Sequence, residues 1–434
     1  MKLSRFVVTW KDVRPGEHVL YDVLGDRYAG VESDVIEAIE RWSHGPPGAD
    51  EIEAQRALRD QGLLVDDEAA DDARLRGHLE TAAQGVPDTM HVTLMPTLAC
   101  NLACTYCFQK DSPAFTAMDA ATEAAVQEWI VRRIDERALG TLHVHYFGGE
   151  PLTRKALVLR TARVFHSAMA ARGGRFEWSI TTNGLGLDGA FARAMRAFGD
   201  GFAKVTLDGD RETHDAARVY RDGKGSFDRI FQNVVEVAPL MRLRVGGNFL
   251  PGQAASYERL LERLDAAGVT PLLEAVKFKP VIDVDRKTCG GSCDAKGEAR
   301  QLVQLNKSIE KRKLGTHAGE SLEGMLGPCE LHWTNNYTID PEGRVYKCPA
   351  VAGRPEMAVA SVRESSAEKV APLVAARPWE QCGSCAYLPV CVGGCLGGRY
   401  LQTGRTDGVA CKKESFAAAF EETIVRRYLA EFPG

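Results

Sequence analysis

Short apolar segments alternate with longer amphipathic segments between residues 91 and 281. The apolar segments are predicted to be strands and cover 91–96, 142–147, 175–181, 202–207, 241–249 and 273–280. The segments between them are predicted to be helices and lie near 119–137, 154–172, 188–198, 226–239 and 255–267. This alternation favours an α/β fold with a parallel sheet and right-handed crossovers. Six strands are too few for a closed eight-stranded barrel, so we expect a partial (β/α)6 barrel with its reactive groups at the carboxyl ends of the strands.

The first 85 residues have a different pattern and are predicted to form a winged-helix-like module. Its expected elements are strands at 6–10 and 19–23, helices at 34–42 and 50–60, and a closing strand at 63–65. Ser33 is expected to cap the first helix. The acidic stretch 66–72 is predicted to be the solvated start of a further helix that ends near residue 83.

The region 286–434 contains short, glycine-rich segments and little that could form a large apolar core. A helix near 412–430 is the exception. Its apolar stripe is predicted to serve packing and consists of Phe416, Phe420, Ile424 and Tyr428. The pattern therefore divides the chain into domains at 1–85, 86–285 and 286–434.

Composition narrows the class of protein. The 434 residues carry a net charge of −5, with no basic stripe that would indicate nucleic acid as a partner. No segment is apolar and long enough to predict a membrane span. The start of the chain shows no secretory signal pattern, so we expect a cytoplasmic protein whose thiols stay reduced.

Twelve cysteines are grouped rather than scattered, and three of them follow the first predicted strand as Cys100-x3-Cys104-x2-Cys107. A disulfide framework conflicts with the expected reducing compartment, and a structural zinc site normally has four protein ligands. Three thiolates leave a cubane iron–sulfur cluster one ligand short. This spacing therefore favours a [4Fe–4S] cluster with one iron open to another molecule.

Further motifs come at the ends of the next three strands. They are Gly148-Gly149-Glu150-Pro151, Thr181-Thr182-Asn183-Gly184 and Thr206-Leu207-Asp208-Gly209. The glycines Gly184, Gly186 and Gly189 match a dinucleotide-binding spacing. They occur at the third strand, behind the cysteine motif, which disfavours a nicotinamide or flavin site. His143 and His145 share one side of a strand and are predicted to line the barrel interior.

Together these motifs resemble the radical S-adenosylmethionine superfamily. The resemblance implies that Cys100, Cys104 and Cys107 hold three irons while S-adenosylmethionine chelates the fourth, and that a 5′-deoxyadenosyl radical then takes a hydrogen atom from the substrate. Glu150 would bond the ammonium of the cofactor or steady its loop. Arg218 would bind the cofactor carboxylate or form a surface ion pair with Asp215 or a neighbour. The cofactor-binding residues implied in this way are Tyr106, Phe108, Gly148, Gly149, Glu150, Pro151, Thr182, Asn183, Thr206, Asp208 and Arg218.

The remaining cysteines resemble the seven-cysteine SPASM motif, which implies two auxiliary [4Fe–4S] clusters and three clusters in all. The outer cluster would be held by Cys382, Cys385, Cys391 and Cys411. The inner cluster would be held by Cys329, Cys348 and Cys395, with Cys289 or Cys293 as a fourth ligand or with an iron open to substrate. A zinc knuckle at 382–395 is the competing interpretation.

These resemblances predict a ribosomal-peptide maturase, similar to the geopeptide-type enzymes, that installs a crosslink. A precursor peptide would dock on residues 1–85 by strand addition, and a flavodoxin or ferredoxin would supply electrons. A thioether is the first expectation, and a carbon–carbon or carbon–oxygen crosslink is the second. Sulfatase-type maturation is disfavoured because Pro349 stands where those enzymes carry a basic aspartate. The cysteine pattern is also compatible with a non-catalytic iron–sulfur electron carrier or with an enzyme that acts on a small molecule.

Overall fold

An antiparallel sheet opens the N-terminal module in the computed structural model, which describes residues 1–109, 116–281, 295–314, 329–364 and 368–433. The strands of the module are β1 (Lys2–Leu3), β2 (Val7–Arg14), β3 (Glu17–Asp22), β4 (Arg27–Glu32) and β5 (Leu64–Val65). Its helices are α1 (Ser33–Trp42), α2 (Ile52–Asp60) and α3 (Glu68–Ala83). Strands β2, β3 and β4 form one sheet in that order, and β1 pairs with β5. The predicted strands and helices are present, but the sequence pattern missed β4 because its half-buried residues show no clear alternation.

Two expectations for this module are wrong. Glu32, and not Ser33, is the cap residue of α1, and no side chain caps the helix. The Ser33 hydroxyl is instead 2.9 Å from Nε2 of His18. The acidic helix start is not wholly solvated either, because Asp71 is fully buried. Its carboxylate accepts hydrogen bonds from the Ser4 hydroxyl at 2.7 Å and the Arg5 amide at 2.8 Å, which fixes α3 against the start of the chain.

The central region is a parallel sheet whose strands follow chain order. They are β6 (Thr89–Leu94), β7 (Thr141–Tyr146), β8 (Arg175–Thr182), β9 (Gly201–Thr206), β10 (Leu243–Phe249) and β11 (Leu273–Pro280). The helices of this region are α4 (Ala120–Arg137), α5 (Lys155–Ala170), α6 (Gly189–Arg196), α7 (Arg211–Ala217), α8 (Phe227–Val237) and α9 (Ala254–Ala266). All neighbouring strands in this set are parallel, as predicted.

Each barrel strand shows two different faces, as alternation of side chains requires. Val144, Val205 and Val245 are fully buried in the apolar core that the strands share with the helices. The other face carries polar residues and encloses the barrel interior. Because the strands are parallel, the loops that follow them lie together at the carboxyl ends of the strands, around one opening.

The cysteine-rich region continues the same sheet, which the sequence did not predict. Its elements are α10 (Ala295–Lys311), β12 (Asn336–Ile339), β13 (Arg344–Tyr346), β14 (Ala360–Ser361), α11 (Pro372–Ala375), α12 (Leu388–Cys391), α13 (Leu396–Thr403) and α14 (Lys413–Glu431). Strand β12 lies parallel to β6, and β13 and β14 extend the sheet in antiparallel fashion. A small apolar core around Leu331, Tyr346 and Leu396 includes Met95 and Leu98. The region is therefore packed directly against the loop that carries Cys100.

The last helix packs as its apolar stripe predicted. Phe420, Ile424 and Tyr428 are buried, and the ring of Phe420 lies 5.8 Å from that of Tyr21 on the N-terminal sheet. Phe420 also lies 5.5 Å from the ring of Tyr387, beside the outer cysteines. This helix thus joins the first module to the cysteine-rich region. None of the described helices is both long and apolar enough to cross a bilayer.

Candidate active site

A pocket lies at the carboxyl ends of the barrel strands, where the three loop motifs meet the cysteine loop. Most of the predicted site residues line it, namely Cys100, Cys104, Tyr106, Cys107, Phe108, Gly148, Gly149, Glu150, Thr182, Asn183, Thr206 and Arg218. Pro151 and Asp208 are buried directly behind this lining. The sequence motifs therefore converge on one site.

Two glycines allow the loop after β7 to pack against the cysteine loop. The amide of Gly149 donates to the Thr97 carbonyl at 3.0 Å, and the amide of Glu150 donates to the Ala99 carbonyl at 2.9 Å. A Cβ atom at Gly149 would lie 2.2 Å from the Ala99 oxygen. Gly148 has a φ of +123°, and a Cβ there would lie 2.2 Å from the Thr97 oxygen. Both positions therefore require glycine for contact between the two loops.

Glu150 steadies its loop, which is one of the two roles that the sequence left open. One carboxylate oxygen accepts from the Leu152 amide at 2.9 Å and the Thr182 hydroxyl at 2.7 Å. The other accepts from the Asn183 amide at 2.7 Å. Burial raises the pKa of Glu150, and these hydrogen bonds oppose that shift. Through these three hydrogen bonds, Glu150 holds together the loops that follow β7 and β8.

Arg218 lies inside the site, so the expectation of a surface ion pair with Asp215 is wrong. Its side chain is nearly buried, with 8% exposure for the residue. Nη1 donates to the Tyr106 phenol oxygen at 2.7 Å and lies 3.6 Å from Oδ2 of Asp208. Asp215 instead accepts from the amides of Ser226 and Phe227 at the start of α8.

Tyr106 and Asp208 lie beside Arg218 and are hydrogen-bonded to each other. The Tyr106 hydroxyl donates to Asp208 and also accepts from Nδ2 of Asn248 at 3.2 Å. Burial, followed by the charge of Asp208, raises the pKa of Tyr106 well above its usual range. Asp208 also accepts from the Asn248 amide at 2.7 Å. The network fixes the tyrosine between Cys104 and Cys107, and no sequence motif pointed to Asn248.

The opposite side of the cysteine loop is held by Asn183. Its Nδ2 atom donates to Oδ1 of Asn101 at 2.7 Å and lies 3.8 Å from the Cys100 sulfur. The ring of Phe108 stacks on that of Phe147, with centroids 6.4 Å apart. The glycine motif behind Asn183 has a packing role, because the carbonyl of Gly184 accepts from Asn233 and Gly186 lies against Leu152.

Two buried donors face the pocket without a partner among the described residues. They are Nε of Arg218 and Nε2 of Gln109. Buried donors of this kind are costly unless a ligand satisfies them. A carboxylate and other acceptor groups, such as those of S-adenosylmethionine, fit this donor set. The sequence did not identify Gln109.

The ten cysteines in the described part of the chain fall into three electrostatic groups. Burial raises the pKa of Cys104 to about 11, and the nearby thiols of Cys107 and Cys100 contribute. Burial raises the pKa of Cys348 to about 12, with contributions from Cys329 and Cys395. Burial raises the pKa of Cys391 to about 11, with contributions from Cys382, Cys385 and Cys411. Each group consists of described cysteines that the resemblance assigns to one cluster, and the assignment to clusters stays a prediction.

Within the described residues, no three His, Cys, Asp or Glu side chains are gathered closely enough to hold a single metal ion. A four-iron cluster is larger than one ion, so its ligands stand farther apart, and thiolates are the ligands that such clusters use. The donor chemistry of each set therefore fits an iron–sulfur cluster. Cys289 and Cys293 lie outside the described residues.

The barrel interior beneath the pocket is polar, as the histidine pair predicted. One hydroxyl, that of Ser179, lies 2.8 Å from Nε2 of His143 and 2.8 Å from Nδ1 of His145. Burial lowers the pKa of His145 to about 3 and that of His91 to about 4. These imidazoles are therefore neutral at pH 7.

Two lysines that the sequence did not single out for the site also line the pocket. They are Lys204 on β9 and Lys279 on β11. Lys204 is two residues before Thr206 on β9, so both belong to one face of the strand. On β11, Val276 and Phe278 are buried on one face, and Lys279 belongs to the other. Strand alternation could have identified both as inward-facing.

Comparisons with known proteins agree with this geometry. Residues 94–266 match the family model of the Radical SAM superfamily. A serine-type anaerobic sulfatase-maturating enzyme from Klebsiella aerogenes is 23% identical over 339 residues, which are 71% of this chain and 80% of that relative.

Two solved structures share the fold. The structure of native anSMEcpe with bound AdoMet and the Cp18Cys peptide matches with a TM-score of 0.62 at 16% identity, over 78% of this chain and 99% of that one. The structure of Streptococcus suis SuiB bound to the precursor peptide SuiA matches with a TM-score of 0.55 at 13% identity, over 95% of this chain and 99% of that one.

Proposed function

Residues 94–266 belong to the Radical SAM superfamily, and from this we propose that the protein is a peptide maturase that removes a hydrogen atom from a ribosomally made peptide and installs a crosslink. A thioether is the first candidate for that crosslink. A carbon–carbon or carbon–oxygen bond is the second.

One observation carries the proposal. Three thiols face the same pocket as two buried donors, on Arg218 and Gln109, that have no partner within the described part of the chain. Cys100, Cys104 and Cys107 would hold a [4Fe–4S] cluster, and Arg218 would bind the carboxylate of S-adenosylmethionine. When bound, this pair of cofactors supplies a one-electron cleavage that produces a hydrogen-abstracting radical.

The crosslink requires a second electron acceptor. Forming a thioether breaks one C–H and one S–H bond in the peptide and makes one C–S bond. One hydrogen atom leaves with 5′-deoxyadenosine, and a proton and an electron remain to be removed. The two further cysteine sets would hold auxiliary clusters that accept this electron, which supports an oxidative reaction.

The N-terminal module would bind the precursor peptide. Its sheet has two edges among the described strands, β2 and β4. The register of β2 shifts between Trp10 and Arg14, and Asp12 has a φ of +53°. Such an irregularity discourages strand addition. Strand β4 pairs with β3 without a shift, so its free edge is the proposed docking site.

Hydrogen exchange tests this docking without a mutation. Titration of a precursor peptide should slow amide exchange in Arg27–Glu32 and leave exchange in Val7–Arg14 unchanged. Removal of residues 1–85 is a poorer test, because it would expose Phe420 and Tyr387, which pack against the module. Equal slowing in both strands would exclude addition at β4.

The central experiment is anaerobic incubation of the cluster-reconstituted protein with S-adenosylmethionine, reductant and candidate precursor peptides. A crosslinked peptide should be two hydrogens lighter, and 5′-deoxyadenosine should accumulate. The triple variant C100A/C104A/C107A should lose cofactor cleavage and keep about eight irons, if both auxiliary sites hold four. Retained cleavage in that variant would refute the assignment of the site.

Sulfatase-type maturation is the second candidate, since sulfatase-maturating enzymes are among the similar proteins. Pro349 follows Cys348 and cannot act as a base. Oxidation of a serine side chain to an aldehyde also removes two hydrogens, so mass alone does not separate the two reactions. Trapping with a hydrazide does, because an aldehyde reacts and a thioether does not.

A further inference from the structure

The floor of the pocket carries more positive charge than the described residues neutralise. Lys204 and Lys279 both line it, and neither has a hydrogen bond or ion pair to any part of the chain that the structure describes. Glu150 is the carboxylate in the described lining, and it accepts hydrogen bonds from three groups of its own loops. Among the described residues, neither lysine ammonium is therefore bonded to a carboxylate.

Lys204 is held in the interior by the shape of the barrel. On β9 it pairs in register with Thr181 on one side and Arg244 on the other. A Cβ atom at Gly246 would lie 2.4 Å from Cε and 3.3 Å from Nζ of Lys204. The glycine thus leaves the space that the ammonium occupies.

The two lysines influence each other electrostatically. Burial lowers the pKa of Lys204 to about 8, and the charges of Lys279, Lys277 and Arg244 contribute. Burial lowers the pKa of Lys279, followed by the charge of Lys277, whereas Cys395 and Asp208 oppose this shift. Arg244 is neutralised by Glu274 at 2.8 Å. Lys279 lines the same pocket as Cys100, Cys104 and Cys107.

Neither lysine is among the residues that the resemblance assigns to the cofactor. Lys204 is two residues before Thr206 along β9, and its Nζ atom lies beside Gly246, which pairs in register with Thr206. Lys279 pairs in register with Asn248 on β10. The two lysines therefore add a second cationic group to the pocket that Arg218 also lines.

We propose that Lys204 and Lys279 bind a carboxylate of the peptide substrate, from an Asp or Glu side chain close to the residue that loses hydrogen. This inference rests on the proposed function and names a requirement of its substrate. An ammonium–carboxylate hydrogen bond is among the stronger polar contacts, and two of them would fix one side chain of the peptide. The reacting residue would then be held in the pocket that Cys100, Cys104 and Cys107 line.

Amine labelling read by mass spectrometry tests the proposal without turnover. The reconstituted protein is treated with an acylating reagent alone, with S-adenosylmethionine, and with S-adenosylmethionine plus N-acetyl-Gly-Glu-Gly-amide or its Gln counterpart. We expect the Glu peptide to slow labelling of Lys204 and Lys279 at least threefold. Lys224, whose side chain is 80% exposed, is the internal control.

Each other outcome overturns the proposal. Full protection by S-adenosylmethionine alone would assign the lysines to the cofactor. Equal protection by the Glu and Gln peptides would show that no carboxylate is recognised, and no protection would show that the peptide does not reach them. Absence of cofactor cleavage would refute the proposed function while leaving the labelling result readable.

Variants give a second readout by calorimetric titration of the same Glu peptide. K204M and K279M should each weaken its binding about tenfold, which is the effect of losing one charged contact. K279R should restore most of the affinity, and the surface variant K224M should match the wild type. Affinity for S-adenosylmethionine should be unchanged in all four. Equal peptide affinity in K279M and wild type would refute the role of Lys279.

Discussion

Arg218 donates a hydrogen bond to the phenol oxygen of Tyr106 at 2.7 Å, and this contact joins the end of α7 to the cysteine loop. Tyr106 stands between Cys104 and Cys107, so the position of two thiols depends on a residue more than a hundred positions later in the chain. Nε of the same arginine has no partner among the residues that the structure describes. A carboxylate bound there would therefore be linked to the cysteine loop through this contact.

Replacing Tyr106 by Phe should destabilise the protein by about 1–3 kcal/mol, because Asp208 and Asn248 lose a buried partner. Urea unfolding of the reconstituted protein measures the change. Tyr400→Phe is the matched control, since that hydroxyl bonds Glu356 in an exposed position. A loss of equal size in both variants would show that the buried network has no special role.

Gly149→Ala should displace the cysteine loop, because its Cβ would lie 2.2 Å from the Ala99 oxygen and 2.5 Å from that of Leu98. We expect cofactor cleavage to fall at least tenfold and about four irons to be lost. Gly77→Ala is the control, since a Cβ there meets nothing within 4 Å. Normal iron content and cleavage in Gly149→Ala would contradict the proposed loop contact.

The barrel histidines predict how stability depends on pH. Burial lowers the pKa of His91 from 6.5 to about 4. Between pH 6.5 and pH 4 this histidine therefore binds a proton in the unfolded chain but not in the folded one. The folded state has its full stability above pH 6.5, and the free energy of unfolding decreases as the pH falls toward 4. One such histidine lowers the free energy of unfolding by about 2 kcal/mol at pH 5.

Urea unfolding between pH 7 and pH 5 measures this loss. His91→Gln should make the free energy of unfolding less dependent on pH. His44→Gln, at an exposed position, should leave the dependence as it is. An unchanged slope in His91→Gln would mean that the imidazole is protonated in the folded protein.

Phe420→Ala should cost about 3–5 kcal/mol, because this fully buried ring contacts Tyr21 and Tyr387. Loss of the ring should also weaken the packing of the N-terminal module against the cysteine-rich region. Faster proteolysis near residues 24–26 would report this change. Phe432→Ala is the control, since Phe432 is 48% exposed. Equal stability of the two variants would show that the last helix does not hold the module.

The sequence predicted the barrel well because its strands are long, apolar and separated by clear helices. The convergence of Cys100, Cys104 and Cys107 with the three loop motifs on one pocket was also predictable, since all of them follow strands of one parallel sheet. Strands β12–β14 were not, because two to four residues are too few to show periodicity. Their structure depends on pairing with β6, which is a tertiary contact.

The candidate site residues also differ in whether the sequence alone could identify them. Gly149 and Glu150 stand in a motif, whereas Gln109 and Asn248 have no local signal. The position of Arg218 inside the site follows from the turn after β9, which brings it beside Tyr106. Pairwise contacts across the barrel were needed to identify these residues.

The pairing of β12 with β6 also bears on how the chain folds. The ladder joins Asn336 to His91, which are far apart along the chain. Contacts of such long sequence separation form late, because loop closure must precede them. During synthesis the edge of β6 and the adjoining cysteine loop stay uncovered until β12 has emerged from the ribosome. A cluster held by Cys100, Cys104 and Cys107 would therefore have an interval for its insertion, in which the loop is accessible from the side that the cysteine-rich region later covers.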